Sequence, residues 1–462
     1  MNNFLHKIAF VLLTAFLFVL VSCDREEDIL NDTKVVNAPL LSTVDSTETD
    51  NVADTIQEPP QAVVRPVVML HGFLASGDTY ANTAMRFNSN QYSWKKIHVF
   101  DWNSLGFSND VNALDAFIDQ VITETGADKV DLAGHSAGSG FCYSYLSDAT
   151  RAAKVAHYAH LAGNPNTAPA GPNGEIPTIN IYSTDDLVVA GGNIPGASNV
   201  VLTGKDHYQV ATSAETFEAM YAFFNDGTAP QTTEFTPESQ ICIAGKVLTL
   251  GENQAQANAT VNIYSLDPET GYRISETPTH TLSTDANGKW GPVAIEPNTR
   301  YEFQTNTNQA GDRTIIYYRE AFVHSNFLVY LRTLPSSGIA SLLLSGLPED
   351  DNQTVMAIFT ANQAAINGRD QLAANGNELS TAQFMPASKS IIASFLYDAN
   401  SNAQSDNTAI PIFNLSPTFL TGIDQYFPTQ PLNSIALTFN GRSLNIPSRG
   451  SASEGVIVAV FD

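Results

Sequence analysis

The chain has 462 residues, 43% of them hydrophobic and 10% aromatic, too long for one core and enough for roughly two or three folded domains. Its formal net charge of −25 repels nucleic acid and anionic lipid surfaces, which argues against both as partners recognised by charge. A neutral substrate is the expectation that remains.

At the N-terminus Lys7 precedes two apolar runs, Ile8 to Leu13 and Phe16 to Val21. Together they are too short for a comfortable membrane span, and residues 1–22 read as a secretory signal. The segment ends in Leu20-Val21-Ser22-Cys23, which resembles a bacterial lipoprotein signal. The resemblance implies cleavage before Cys23, lipidation of that cysteine, and attachment to an outer membrane or cell surface. The acidic run Asp24-Arg25-Glu26-Glu27-Asp28 resembles the export mark of some surface lipoproteins, and a solvated tether explains it equally well. Residues 23–62, rich in Asp, Glu, Thr, Ser, Asn and Pro, read as a disordered tether.

From residue 63 the pattern changes. Val63 to Leu70, interrupted at Arg65-Pro66, ends on the turn signal His71-Gly72. Short apolar runs recur at Lys95 to Trp102, Val130 to Ala133, Val155 to Ala162, Thr178 to Ser183 and Ser198 to Thr203. Runs of this length read as strands buried on both faces. Between them Val111, Leu114, Phe117, Ile118, Val121 and Ile122 recur at helical spacing up to Thr125-Gly126. Phe217, Met220, Tyr221 and Phe224 repeat that spacing in 213–226. Strands alternating with helices predict a doubly wound parallel sheet of about six strands over 63–228.

After Thr228-Ala229-Pro230 the helical pattern stops and two-residue alternation begins: Ile241 and Ile243, Leu248 and Leu250, Val261 and Ile263. Asn287-Gly288 marks a turn between strands. Residues 229–305 read as a β-sandwich module, loosely similar to the carboxypeptidase-regulatory-like modules of secreted proteins. Residues 306–462, with runs such as Thr314 to Tyr318, Phe327 to Leu331 and Val456 to Phe461, read as a second β-rich unit. Cys142 and Cys242 fall in different expected domains with no metal or disulfide spacing, and read as buried free thiols.

Gly134-His135-Ser136-Ala137-Gly138 follows an apolar strand and precedes a helical run from Phe141 to Ala153. This is the context that a G-x-S-x-G turn needs to expose a nucleophilic serine ahead of a helix N-terminus. A serine needs a base to take its proton. In the chain order Ser, acid, His, the base follows the last strand, where His207 stands in Gly204-Lys205-Asp206-His207. His135 packs beside the turn, His157 and His160 lie within a strand, and His98, His280 and His324 have no motif around them. The acid ends the preceding strand, at Asp185 or Asp186; the apolar Leu187-Val188-Val189 gives Asp186 the better chance of a fixed, half-buried position. An oxyanion needs backbone donors. The Ala137 N–H supplies one; the Phe73 N–H, in the loop His71-Gly72-Phe73, is the choice for the other, although that tripeptide alone also reads as a plain turn.

These residues resemble the small bacterial lipases of the minimal Bacillus type, and archaeal lipases with a C-terminal β-domain. The matching features are His71-Gly72-Phe73, Glu124 to Asp131, the serine turn, Ile181-Tyr182-Ser183 with Asp186, and Gly204 with His207. The resemblance covers residues 63–226. It implies an α/β-hydrolase that cleaves carboxylic or acylglycerol esters with no metal or other cofactor, and a β-rich lipase-associated C-terminal domain. Ala137 stands where the Bacillus type has methionine, which leaves the backbone donor but alters the pocket beside it. The same triad also serves polyester depolymerases and acyltransferases. In a reading of another class, the hydrolase fold is a scaffold and the β-modules bind a surface partner. Phe73, Leu74, Trp102, Phe107 and Leu187 are candidates to line an acyl groove, some of them as plain core residues. Asp398 to Asp406 spaces oxygen ligands as calcium loops do, but without their glycine and terminal glutamate, so a polar hairpin loop is the better reading. The expected assembly is a monomer.

Overall fold

The computed structural model describes residues 64–106, 110–334, 338–414 and 418–462. The signal, the tether, Cys23 and Phe107 lie outside the described residues.

The N-terminal domain is built on six strands: β1 (Val67–Leu70), β2 (Ile97–Phe100), β3 (Val130–His135), β4 (Val155–Leu161), β5 (Thr178–Ser183) and β6 (Ser198–Leu202). They pair in the order β2-β1-β3-β4-β5-β6, all parallel. The helices are α1 (Ala81–Ser89), α2 (Val111–Thr125), α3 (Ala137–Leu146), α4 (Ala149–Ala152), α5 (Gln209–Thr212) and α6 (Ala214–Phe224). Alternation along β1 assigns the layers. Val67 and Met69 pack with Phe87 of α1 and Phe217, Met220 and Phe224 of α6. Val68 and Leu70 face the other way, onto Leu114, Ile118 and Val121 of α2 and Phe141 and Tyr145 of α3. The sheet is thus covered on both faces, as its continuous apolar strands require. Asp110 caps α2 by accepting from the Asn112 and Ala113 amides, and Gly126, at φ 66°, ends it in the left-handed region. The helix expected to run from Phe141 to Ala153 is broken. It stops at Leu146, and Asp148 accepts from the amides of Thr150 and Arg151 to start α4.

The C-terminal half is β-rich. Ile241–Thr249 pairs antiparallel with Lys289–Ile295 and parallel with Leu331–Thr333. A larger, eight-stranded sheet holds Thr260–Ser265, His280–Ser283, Tyr301–Asn306 and Ile315–Arg319, and continues through Val456–Phe461 to Met356–Thr360. The expected division at 305/306 falls inside this sheet, between the paired strands Tyr301–Asn306 and Ile315–Arg319. The turn at Asn287-Gly288 is present, with Gly288 at φ 72°, but it passes the chain between two sheets instead of closing a hairpin. Cys142 is a buried free thiol, whereas Cys242 is only half-buried, which corrects the expectation that both are buried.

The β region docks on the loops that leave β1 and β2. Leu74 and Leu105 of the N-terminal domain join the β core, and Leu248, Leu328 and Tyr330 join the N-terminal core. Lys246 Nζ lies 2.6 Å from Asp101, Tyr330 Oη donates to the same carboxylate at 2.9 Å, and Arg332 pairs with Asp78.

Candidate active site

Ser136 stands between β3 and α3 at φ 55°, ψ −120°, a conformation that a non-glycine residue holds only where its surroundings enforce it. Its neighbours explain the glycines. A Cβ on Gly138 would meet the carbonyl oxygens of His71 at 2.4 Å and Leu70 at 2.7 Å; one on Gly134 would meet Gly138 O at 2.7 Å and Cys142 Sγ at 2.8 Å. Only glycine lets α3 lie this close to β1 and β3. The turn is further held by the Ser136 amide donating to Leu161 O at 2.9 Å and by the Ser139 hydroxyl donating to Ser136 O at 2.5 Å.

His207 Nε2 lies 2.8 Å from Ser136 Oγ, and His207 Nδ1 lies 2.7 Å from Asp186 Oδ2. Asp186 Oδ1 accepts from the Val188 and Val189 amides at 2.8 and 3.1 Å. Burial works against the charge on this carboxyl, but His207 and the two amides outweigh it and hold its pKa below the usual value. The carboxylate is therefore ionised and fixed beside the imidazole. Asp185 faces elsewhere: its Oδ2 accepts from the Gly204 amide at 2.6 Å and so ties down the loop that carries His207.

Three other histidines are buried and neutral. His135 packs against His207, with ring centroids 4.8 Å apart, and its Nε2–H donates to His207 O at 2.9 Å. Burial, reinforced by His207, lowers its pKa to about 3. Burial lowers His160 to about 4, and it also depresses His71. His157, by contrast, pairs with Asp131 at 2.8 Å near the start of β4, away from the serine. These shifts set the sign of a pH dependence. Below 6.5 the unfolded chain binds protons that the folded histidines refuse, so stability falls as pH falls. The slope approaches about 1.4 kcal/mol per pH unit for each such histidine. The carboxyls with raised pKa, Asp206, Glu320 and Asp424, act in the opposite sense between their raised folded values and their ordinary values of 3.8, 4.5 and 3.8, so they offset the histidines only over the part of that window above pH 5. The midpoint of thermal unfolding is therefore lower at pH 5 than at pH 6.5; an equal or higher midpoint at pH 5 contradicts this account.

Ala137 sits exposed at the start of α3, and Phe73 follows Gly72, whose backbone abuts the serine: a Cβ there would approach Ser136 Cβ to 3.1 Å. The cleft at Ser136 is lined by Gly72, Phe73, His135 and Tyr208, and by Ile392 and Phe419 from the C-terminal half. The Phe419 ring stacks over His207 at 6.0 Å. A second, larger cavity shares Ala75, Tyr208 and Ile392 with this cleft and continues between the two halves past Leu74, Leu250 and Phe359. The four groove candidates on described residues go to different places, Phe73 into the cleft at Ser136. Leu74 lines the second cavity. Trp102 is in the core beneath the loop, 8% exposed, because its indole N–H donates to His71 O at 3.0 Å and its ring packs on Phe141; this corrects its assignment to the groove. Leu187 is 63% exposed and lines neither cavity. Ile392 and Phe419 escaped sequence reasoning because nothing local to them marks a site. In the loop Asp398 to Asp406, Asp398 accepts from the Asn402 and Ala403 amides and Asp406 from the Asn400 and Asn402 side chains. Among the described residues no group of three or more His, Cys, Asp or Glu is arranged to hold a metal.

Comparison with known families agrees with this architecture. Residues 65–185 match the α/β hydrolase fold model, residues 239–335 match the lipase C-terminal domain model, and a further C-terminal domain model matches residues 355–462. The N-terminal domain is an α/β hydrolase, and the two named models support a carboxylic ester hydrolase. The chain is similar to the mature Bacillus licheniformis lipase BlEst2, at 16% identity over 37% of this chain and 96% of that one, with a TM-score of 0.30. It is similar to the Aspergillus fumigatus lipase B, at 16% identity over 37% and 54% of the two chains, with a TM-score of 0.28. It is also similar to the Bacillus subtilis carboxylesterase CesB, at 11% identity over 36% and 85%, with a TM-score of 0.27.

Proposed function

We propose that the protein is an exported lipase or esterase that cleaves neutral fatty acyl esters through Ser136, His207 and Asp186. The observation that carries this reading is the unbroken run of short contacts from Ser136 Oγ through the His207 ring to Asp186. His207 Nε2 takes the serine proton as Oγ attacks the ester carbonyl, and Asp186 holds the tautomer and steadies the imidazolium. The Phe73 and Ala137 amides receive the oxyanion. His207 then protonates the leaving alcohol, and afterwards activates the water that frees Ser136 from the acyl group. The apolar part of the cleft wall, Phe73, Ile392 and Phe419, suits an uncharged acyl chain.

Export rests on the leader sequence. Attachment to an outer membrane or cell surface rests on lipidation of Cys23, which the lipoprotein-like run Leu20-Val21-Ser22-Cys23 implies. No helix among the described residues is long and apolar enough to cross a membrane. The test is release of p-nitrophenol from p-nitrophenyl acyl esters by the full chain. Saturable turnover is expected, and its absence across acetate to palmitate contradicts the reading.

A further inference from the structure

Asn253 lies in the turn after Ile241–Thr249, within the segment that matches the lipase C-terminal domain, yet its side chain reaches the loop beside the serine. Its Nδ2 donates to Ala75 O at 2.8 Å and Trp102 O at 2.9 Å, and lies 3.2 Å from His71 Nε2. We propose that Asn253 is a positioning residue for the oxyanion loop, acting through His71 on the peptide that carries the Phe73 N–H. The proposal rests on the reading of Ser136 as nucleophile and Phe73 as oxyanion donor.

The chain of contacts runs as follows. The Trp102 amide also points at His71 Nε2, at 3.2 Å. Both Asn253 Nδ2 protons are committed to Ala75 O and Trp102 O, so the Trp102 amide is the donor that makes Nε2 the acceptor, and Asn253 reaches the ring through the Trp102 residue it holds; the ring proton sits on Nδ1 and donates to Gly72 O at 2.8 Å. In a trans peptide the next N–H points opposite that carbonyl. Fixing Gly72 O therefore fixes the direction of the Phe73 N–H. Asn253 also holds Ala75 O, on the far side of Phe73 and Leu74, so the loop is pinned at both ends. It needs such restraint: Leu74 has φ 63°, a left-handed conformation that a non-glycine residue does not hold without support. The amide orientation is determined by its partners, because turning it over would set Oδ1 against two carbonyl oxygens. The charged or titratable groups facing His71 are Asp101, Asp78, Arg332 and His135, with Lys246 held on Asp101. Burial outweighs them and keeps the ring neutral.

Asn253 itself has φ 56°, so Asn253→Gly removes the amide while leaving the turn unstrained. A displaced oxyanion donor costs less than a deleted one, and kcat for a p-nitrophenyl ester is expected to fall about tenfold with KM within about twofold. Inactivation by a fluorophosphonate slows by the same factor, because phosphonylation of Ser136 also directs a negative oxygen at these amides. Asn253→Asp keeps size and turn but sets a carboxylate against two carbonyls and His71 Nε2. That arrangement is relieved by one proton, held on His71 or on the introduced carboxyl, so its kcat/KM against pH gains an ionisation that the parent lacks and falls as pH rises through it. A merely structural role would lower the unfolding temperature of both variants and leave the inactivation rate constant and the pH profile unmoved. Asn253→Gly with parental kcat and inactivation rate, or Asn253→Asp with the parental pH profile, overturns the proposal. If the parent reacts with the fluorophosphonate but cleaves no ester, the ester reading fails, while the relative inactivation rates still decide the role of Asn253.

Discussion

Ser136→Ala is expected to lower kcat for a p-nitrophenyl ester by about a million-fold, to the residual level left by binding and oxyanion contacts. The hydroxyl is the bond-forming group, and the nearest alternatives do not replace it. Ser139 is buried and its hydroxyl is committed to Ser136 O. The substitution removes one oxygen from a half-buried position and spares the backbone bonds to Leu161 O and from the Ser139 amide that hold the turn. The unfolding temperature should stay within a degree or two of the parent. Steady-state turnover and a thermal melt on the same preparation check both halves, and parental turnover in the variant removes Ser136 from the mechanism.

Asp186→Asn and Asp185→Asn should separate sharply. In Asp186→Asn the side chain can still accept from Val188 and Val189, but its amide group either fails to accept the His207 Nδ1 proton or donates to that nitrogen. The second arrangement leaves the proton on Nε2, where the serine proton has to go. The comparable change in a serine triad costs about ten-thousand-fold in kcat. Asp185→Asn weakens the bond to the Gly204 amide, a contact that positions the histidine loop without touching the ring. A loss below about tenfold is expected there, because the amide oxygen can still accept from Gly204 and only the difference between a charged and a neutral hydrogen bond is lost. Rates measured side by side decide the assignment, and equal losses in the two variants would contradict it.

Much of the hydrolase domain was legible because its signals are local. The six strands are continuous apolar runs, the helices are periodic, and the serine turn is five adjacent residues. The apolar residues that follow Asp186 favour it over Asp185 in the sequence, but Leu187 is exposed, and the contacts that fix the carboxyl are the Val188 and Val189 amides and the His207 ring. Other features depend on atoms that sequence spacing does not encode. Trp102 looked like a groove residue since it follows a strand end, but its indole N–H finds His71 O beneath the loop. The β region could not be divided correctly by runs alone: Ile315–Arg319 pairs parallel with Val456–Phe461, so distant segments share one sheet. Phe419, Ile392 and Asn253 reach the serine cleft or its loop from chain positions far from any motif. Their effect comes from docking of the two halves, through Arg332 with Asp78 and Arg369 Nη1 with Asp206 at 2.8 Å. The last of these places a C-terminal contact on the residue next to His207. The site is therefore assembled by the whole described chain, although its nucleophile is announced by five residues.

The most direct test of the central claim is a rapid-quench reaction of the full chain with p-nitrophenyl butyrate, followed by peptide mass analysis. The account predicts a burst of p-nitrophenol and a butyryl group on the peptide that carries Ser136, absent from the Ser136→Ala variant. A butyryl group on another residue, or ester turnover with no acyl group on Ser136 under conditions that trap it, would contradict the account.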